Sequence, residues 1–260
     1  MTCRWCSLLL ILVATGGGDL AAQTRLPEVR IAGKTACQIH PDSGAATADL
    51  WIDAKSALES AATGDSASPT FLVQHWRRTL GPNLGLRWER RDTTHVTTRQ
   101  PFSKETPANL ERAGYIQGKW DVLTYYGPGA DLLLSERFLR LHCFRRETGT
   151  GARSGLLGLA FEPLPSQQLP DVEGVLWIDP VLHLLRDIEY TWTNAPPEAR
   201  APAVGGRVDF ARLASGGWII QRWNMRMPRA SDMPGTGFDG YTDQGGEVLA
   251  VGGPRPRRRP

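Results

Sequence analysis

The stretch Leu184-Leu-Arg-Asp-Ile-Glu-Tyr-Thr-Trp192 alternates apolar and polar side chains. The apolar positions of its second half are Ile188, Tyr190 and Trp192. The polar positions between them are Asp187, Glu189 and Thr191. Because successive side chains of a β-strand point to opposite faces, this pattern predicts a strand with one buried and one hydrated face. A sheet of this kind is typically antiparallel, and the stretch therefore decides the fold class.

Other segments of the chain repeat this pattern. The C-terminal half holds five more short strand-like runs, separated by Gly- or Pro-rich connections: Gly155–Phe161, Gly174–Ile178, Arg207–Leu213, Trp218–Met227 and Gly246–Val251. Nearer the N-terminus, two alternating runs that flank Gly81-Pro82-Asn83 predict a hairpin. Short links between successive strands favour an antiparallel meander that curls around a helix.

Helical patterns are fewer. Thr47–Ala61 contains no Gly or Pro, and its apolar residues recur at helical spacing, which predicts an amphipathic helix. Asp131 is suited to cap a second helix over Leu132–His142, and Pro107 suits the first position of a short one. We therefore expect an α+β, mainly β fold, in which a large curved antiparallel sheet, half-barrel-like, packs on two or three helices.

The two ends of the chain carry different signals. Arg4, the apolar run Leu8–Val13 and the small residues before Gln23 follow the order of a secretory signal peptide, so we expect residues 1–23 to be removed. The apolar run is too short to span a bilayer, and no transmembrane span is expected in the mature chain. Residues 24–251 are expected to form a single β-rich domain, and the Pro- and Arg-rich tail 252–260 to be disordered. The protein is thus predicted to work in the periplasm or outside the cell.

Composition narrows the classes of partner. The chain has 260 residues, 41% of them hydrophobic, and a net charge of +3 to which the arginines of the tail contribute. The folded body is therefore near neutral and shows no broad basic face with interleaved aromatic residues, so a nucleic-acid partner is not expected. The oligomeric state is not encoded in any of these features.

Cysteine usage fits an exported protein. Cys3 and Cys6 fall within the predicted leader, which leaves Cys37 and Cys143 in the mature chain. Two cysteines in an oxidising compartment favour one disulfide, Cys37–Cys143. It would close a loop of roughly 100 residues, worth about 4–5 kcal/mol in the chain-entropy model. The alternative, a thiolate nucleophile or metal ligand, stays open, although no CxxC spacing supports it.

Candidate catalytic groups are weak, so the sequence predicts no enzyme activity, no cofactor and no metal site. There is no G-x-S-x-G motif, and the neighbours His142 and Cys143 would point apart in a helix or strand. Asp187 and Glu189 share one face about 7 Å apart, a separation found in inverting glycosidases, but any i, i+2 acidic pair in a strand would match. The segment Asp232–Asp243 is rich in oxygen ligands but lacks the order of a calcium loop, so a turn between strands is favoured.

Tryptophan is frequent, with nine residues in the chain. Most fall in alternating strands, where they are expected to be core residues. A curved sheet with more large side chains than its helices cover would also line an apolar pocket. The residues expected to line it are Trp88, Trp177, Tyr190, Trp192, Trp218 and Trp223.

Several segments together resemble the C-terminal region of secreted bacterial proteins known as carboxypeptidase regulatory-like domain proteins. These segments are Asp131–Arg145, Gly155–Pro163, Asp171–Asp179, Thr193–Glu198, Gly205–Phe210 and Trp223–Arg229. In that group an immunoglobulin-like module usually precedes this region, and the stretch between the leader and Cys37 is too short to hold one. Since that module is an accessory sandwich without catalytic residues, the resemblance implies no peptidase activity. A weaker, architectural similarity is to the half-barrels of periplasmic lipoprotein carriers, which hold acyl chains.

These observations lead to one expectation about function. The protein is predicted to be a non-enzymatic cell-envelope protein that binds an apolar or lipid-like ligand or a partner at the outer membrane. Two alternatives stay open: an envelope hydrolase that uses carboxylates on the sheet, and a purely structural interaction module whose sheet is filled by its own side chains.

Overall fold

The computed structural model describes residues 44–62, 70–97, 105–119, 122–214, 217–230 and 238–252. Three features predicted from the sequence lie outside the described residues: the leader, Cys37 and the Pro- and Arg-rich tail after Gly252. The part of the oxygen-rich segment that precedes Phe238 also lies outside them. Within the described part, four helices and eleven strands follow one another along the chain.

Strands dominate the architecture, as the alternating patterns predict. Nine of them form the main sheet: β1 (Thr70–Leu80), β2 (Leu86–Val96), β5 (His142–Thr148), β6 (Leu157–Pro163), β7 (Asp171–Asp179), β8 (Leu184–Thr193), β9 (Gly205–Arg212), β10 (Trp218–Ala230) and β11 (Phe238–Gly252). A separate two-stranded sheet pairs β3 (Ile116–Lys119) with β4 (Val122–Tyr125). The predicted mainly β fold with a large antiparallel sheet is confirmed.

The main sheet has the strand order β2-β1-β11-β10-β9-β8-β7-β6-β5, and every neighbouring pair is antiparallel. Strands β5 to β11 form a continuous meander, and the predicted β1–β2 hairpin adds to the free side of β11. Strands β2 and β5 are the two edges and do not pair with each other, so the sheet is an open half-barrel.

The helices are α1 (Gly44–Ala62), α2 (Pro107–Ala113), α3 (Ala130–Leu133) and α4 (Glu136–Leu141). Helix α1 confirms the amphipathic helix predicted over Thr47–Ala61, and it contacts β5 to β8 and β10. Helix α2 begins as predicted, with Pro107 in its first turn and the Thr106 side chain accepting a hydrogen bond from the Asn109 N–H.

The single helix predicted over Leu132–His142 is wrong in detail. The chain forms two short helices, because the Ser135 side chain accepts a hydrogen bond from the Phe138 N–H and starts a new helix. Helix α3 begins after Gly129 without a side-chain cap, so Asp131 is not the capping residue. His142 and Cys143 begin strand β5, which the helical pattern of this stretch does not predict.

The hydrophobic core lies between α1 and one face of the sheet, which we call the inner face. Helix α1 contributes Leu50, Ala54, Ala57 and Leu58, all at most 5% exposed. Strand β8 contributes Ile188, Tyr190 and Trp192 from the predicted apolar face, and α3 and α4 close the same core with Leu133 and Phe138. The alanines of α1 are fully buried, and small side chains there let the helix backbone approach the sheet closely. The opposite, outer face carries the polar positions of β8 and is the face that positions the candidate site.

Candidate functional site

A cleft of about 660 Å³ opens beside the outer face of the sheet. Its walls come from β8, β9, β10 and β11 and from the turn that joins β5 to β6, and they include the core residues Leu185, Phe210 and Trp218. The turn includes a single 3-10 turn at Gly151–Arg153, and Arg153 projects from it over β7 towards β8. One wall of the cleft is therefore the β5–β6 turn, and an ion pair joins this turn to the sheet.

Strand register places charged side chains in a row on the outer face, and all of this row except Glu189 line the cleft. Asp187 on β8 lies opposite Asp209 on β9, and Asp209 lies opposite Arg222 on β10. One step along, Glu189 lies opposite Arg207. Because directly paired residues of an antiparallel sheet point to the same face, all five side chains belong to the outer face.

Two arginines hold the carboxylates of this row. Arg153 Nη1 and Nη2 donate to the two oxygens of Asp187 at 2.6 and 2.7 Å, and Arg153 also donates to Glu189. Arg207 Nε donates to Asp209 Oδ1 at 2.7 Å, and its Nη1 donates to Glu189 Oε1 at 3.2 Å. Arg207 Nη2 lies 3.3 Å from Asp187 Oδ2. The bidentate geometry of the first pair is the stronger kind of charge-assisted hydrogen bond.

Burial sets the electrostatics of Asp187. Its side chain is only 3% exposed. The loss of hydration raises the pKa of Asp187, and the charge of Asp209 raises it further. The hydrogen bond from Arg153 and the charge of Arg207 lower this pKa and offset part of the rise. Burial disfavours the charge of Arg153, but its hydrogen bonds to Asp187 and Glu189 raise its pKa overall. The two groups therefore depend on each other for their charged forms.

Trp177 lies beneath this ion pair. The Arg153 guanidinium stands 5.3 Å from the centre of the indole ring, and Trp177 Nε1 donates to Glu189 Oε2 at 3.2 Å. A cation over an indole face gains electrostatic energy from the ring quadrupole. Trp177 is thus an outer-face residue that supports the turn, on the opposite side of the sheet from the aromatic core.

Two β-bulges border the cleft. On β8 the pairing with β7 skips Arg186, and on β10 the pairing with β9 skips Gln221. Both residues are exposed and line the cleft. A bulge inserts one unpaired residue and redirects its side chain, and bulges are common next to functional sites. No alternation pattern in the sequence reveals these two positions.

A second tryptophan supports the far side of the cleft. The Arg222 guanidinium lies 5.6 Å from the centre of the Trp76 ring, and that of Arg78 lies 5.4 Å from it. Trp76 Nε1 donates to Asp243 Oδ1 at 3.1 Å. The ring lies across Gly245, where an added Cβ would stand only 2.3 Å from Trp76 Cζ2. This close approach requires glycine at position 245.

The residues predicted to line an apolar pocket are separated by the fold. Tyr190 and Trp192 are buried in the core, and Trp223 packs against that core while partly exposed. Trp218 is also a buried core residue, and it lines the outer-face cleft. Trp177 is on the outer face, and Trp88, on edge strand β2, is 50% exposed. The space where Tyr190 and Trp223 meet Gly127 is about 10 Å³, room for about one water molecule at most. The six side chains therefore do not enclose one cavity within the described ranges.

The cysteine–histidine neighbours do not form a nucleophile and base. His142 is buried and stacks on Phe138 with ring centres 3.8 Å apart. Its Nδ1 lies 3.0 Å from the Phe138 carbonyl oxygen, and its Nε2 lies 3.1 Å from that of Val172. Cys143 is 8% exposed on β5. Since Cys37 lies outside the described residues, the Cys37–Cys143 disulfide stays a prediction.

The acidic groups of the oxygen-rich segment are engaged by arginines where they are described. Strand β11 already begins at Phe238, eight residues before the predicted Gly246. Arg87 donates to Asp239 at 2.9 Å, and Arg229 donates to its other oxygen. Arg226 donates to Asp243 at 3.1 Å. In the part of the chain that the structure describes, no three His, Cys, Asp or Glu side chains gather as a metal site would require.

No family model, no curated protein and no solved structure matches the chain. The resemblance to carboxypeptidase regulatory-like domain proteins therefore stays a prediction. None of the described helices combines the length and hydrophobicity that a bilayer crossing needs.

Proposed function

We propose that this protein is an exported, non-enzymatic binding protein of the cell envelope, and that it holds its ligand in the outer-face cleft. The observation that supports this proposal is the cleft itself, whose volume of about 660 Å³ falls in the usual range for small-molecule sites. Its polar floor is held in one arrangement by ion pairs between adjacent strands and the β5–β6 turn. A preorganised site loses less conformational freedom when a ligand binds.

The same ion pairs favour binding over hydrolysis. A general acid or base must be able to exchange a proton with a substrate within hydrogen-bond reach. Both oxygens of Asp187 accept hydrogen bonds from Arg153, and Glu189 accepts from Arg153, Arg207 and Trp177. The two carboxylates on which the hydrolase alternative depends are therefore committed to structural partners.

The proposal does not place a ligand among the aromatic residues of the core. Helix α1, Tyr190 and Trp192 occupy the inner side of the sheet over β8 and its neighbours. An apolar or lipid-like ligand, the class expected from the sequence, would need space there that the described residues fill. The envelope location rests on the predicted leader and on the predicted disulfide.

Blocking the cleft tests the proposal directly. Gln221 is exposed at the cleft and unpaired at its bulge, so Gln221→Trp would fill the opening without breaking an ion pair. The matched control is Val122→Trp, which adds an indole at a 68% exposed position of the separate β3–β4 sheet. Both variants and the wild type would be exported with the natural leader, purified natively from the periplasm and examined by native mass spectrometry.

We expect the wild type and Val122→Trp to carry the same non-covalently bound species, and Gln221→Trp to have lost it while keeping the same circular dichroism spectrum. A wild-type protein that carries no bound species would contradict the proposal. So would a species that remains on the Gln221→Trp variant.

A further inference from the structure

We infer that the ligand of the outer-face cleft carries two or more phosphate-type oxyanions. This inference rests on the proposed function, because it assigns a ligand class to the same cleft. It follows from the number, kind and placement of the charged side chains that surround the opening.

The lining of the cleft has an excess of positive charge. Five arginines line it: Arg153, Arg186, Arg207, Arg212 and Arg222. The acidic residues in the lining are three: Asp187, Asp209 and Glu247. The whole chain carries only three more positive than negative charges, so an excess of two in one cleft is a local concentration of cationic groups. Such a concentration raises the local density of anions.

Two of these arginines lie without a carboxylate partner in the described part of the chain. Arg186 is the exposed bulge residue of β8, and no ion pair joins it to a described carboxylate. Arg222 is exposed on β10 between Asp209 of β9 and Glu247 of β11, but no ion pair joins it to either of these described carboxylates, and its guanidinium lies over the face of Trp76. A guanidinium that rests on an indole still has its N–H donors directed outward, available to an incoming oxyanion.

The two arginines stand on opposite sides of the cleft. Arg186 adjoins Asp187 on β8, and Arg222 is opposite Asp209 on β10, so one strand, β9, lies between them. Two strand spacings correspond to about 10 Å. Cationic groups on backbones this far apart can engage separate anionic groups of one ligand, and the cleft volume of about 660 Å³ is larger than a single small oxyanion needs.

The type of cation favours phosphate. The cationic residues of the lining are arginines, as is every Lys or Arg position of the chain after Lys119. The planar guanidinium fork matches the oxygens of phosphate with two parallel hydrogen bonds. A carboxylate has two oxygens in one plane, and those of Asp187 already accept from the fork of Arg153 and lie near Arg207. A phosphate has an additional oxygen to accept from a second arginine, which suits a cleft where several guanidinium groups converge.

The test compares charge removal inside and outside the cleft. The probe is inorganic pyrophosphate, titrated calorimetrically into the full exported chain. The variant is Arg186→Gln/Arg222→Gln, which removes the two arginines without a carboxylate partner and keeps the shape of the cleft. The matched control is Arg90→Gln/Arg146→Gln, which removes two charges from exposed positions of the edge strands β2 and β5.

We expect pyrophosphate to bind the wild type and the control equally, to bind the cleft variant at least tenfold more weakly, and to bind less tightly as salt rises. Two further arms identify the source of the phosphate. In these arms, binding of the protein to phosphatidylcholine vesicles that contain phosphatidylglycerol is measured with and without soluble pyrophosphate as a competitor. Vesicles of phosphatidylcholine alone serve as the blank. Vesicle binding that depends on Arg186 and Arg222 would identify a lipid headgroup, and its absence with retained pyrophosphate binding would identify a soluble phosphate compound.

The inference is overturned if pyrophosphate and the anionic vesicles both fail to bind, or if the control variant weakens binding as much as the cleft variant does. Neither result would affect the proposed function, which depends on the loss of the natively bound species from Gln221→Trp. Conversely, a Gln221→Trp variant that keeps its bound species would remove the proposed function whatever pyrophosphate does.

Discussion

Arg153 is the residue on which the outer face depends most. It reaches from the β5–β6 turn across β7 to a carboxyl on β8 that is 3% exposed, while its own side chain is 16% exposed. A charge buried to this degree is tolerated only with a partner, and removal of the partner leaves the cost of lost hydration uncompensated. Asp187 would then keep Arg207 as its cation, at the longer distance of 3.3 Å.

Replacement of this arginine should therefore destabilise the fold. We expect Arg153→Met to lower the free energy of unfolding by about 2–4 kcal/mol at pH 7, measured by urea denaturation. The control Arg146→Met removes an exposed arginine from β5 and should cost less than about 0.5 kcal/mol. An equal decrease in the free energy of unfolding of both variants would show that the Arg153–Asp187 pair stabilises the fold no more than an exposed arginine does.

The same variant should show a defined pH dependence. Burial already raises the pKa of Asp187 in the folded protein, and loss of Arg153 removes the hydrogen bond that lowers it. A carboxyl whose pKa is higher in the folded than in the unfolded state favours folding when protonated, and this contribution is lost as the pH rises through the folded pKa. The destabilisation of Arg153→Met should thus be smaller at pH 4 than at pH 7, and a constant difference would contradict this reasoning.

At the scale of secondary structure, local patterns predicted the elements better than their details. Alternation located the strands of the meander and the faces of Ile188 and Glu189, because side-chain parity is a local property of a strand. It could not locate the bulges at Arg186 and Gln221, which arise from pairing with a distant partner strand.

The split between α3 and α4 was missed because Ser135 resembles any polar helix residue until its cap with Phe138 is seen. Strand β5 was missed because its exposed Arg-Arg-Glu run shows little apolar alternation.

Helix α1 supplies the clearest test at this scale. Leu58 is fully buried against the sheet, whereas Ile52 on the same helix is 53% exposed. Leu58→Ala should lower the free energy of unfolding by about 2–5 kcal/mol, since it removes buried methyl groups and leaves a cavity. Ile52→Ala should change it by less than about 0.5 kcal/mol in the same denaturation experiment. Similar costs for the two would mean that α1 does not pack on the inner face by the side that contains Leu58.

At the scale of the whole molecule, the fold class followed from the sequence, but the candidate site did not. The sequence directed attention to six aromatic residues, of which only Trp218 lines the outer-face cleft. The predicted acidic pair Asp187 and Glu189 does lie on the outer face, together with the arginines that neutralise it. Arg153 and Arg207 are 54 residues apart in the chain, so no spacing rule could have joined them. The one feature of the sequence that could have indicated the site is the set of arginines in the C-terminal strands. Within each strand, however, these arginines resemble the charged residues of any solvent-exposed face.

The predicted disulfide belongs to the same scale, because it would connect distant parts of the chain. Non-reducing peptide mapping of the exported protein should recover Cys37 linked to Cys143. Reduction should lower the free energy of unfolding by about 2–5 kcal/mol, with Cys37→Ser as the matched variant that reduction no longer affects. Quantitative labelling of both residues by a thiol reagent in the native, unreduced protein would contradict the prediction.

The central claim is that ligands bind on the outer face and not in the aromatic core, and the indole N–H signals of the tryptophans test it most directly. Trp177 reports on the cleft through the guanidinium of the cleft residue Arg153 over its ring, and Trp192 reports on the core through its hydrogen bond to the Tyr126 carbonyl. In protein labelled with 15N at the indole nitrogens, we expect titration with pyrophosphate to shift the Trp177 signal and to leave that of Trp192 in place, while laurate shifts neither. Movement of the Trp192 signal with either compound, while Trp177 stays fixed, would contradict the account.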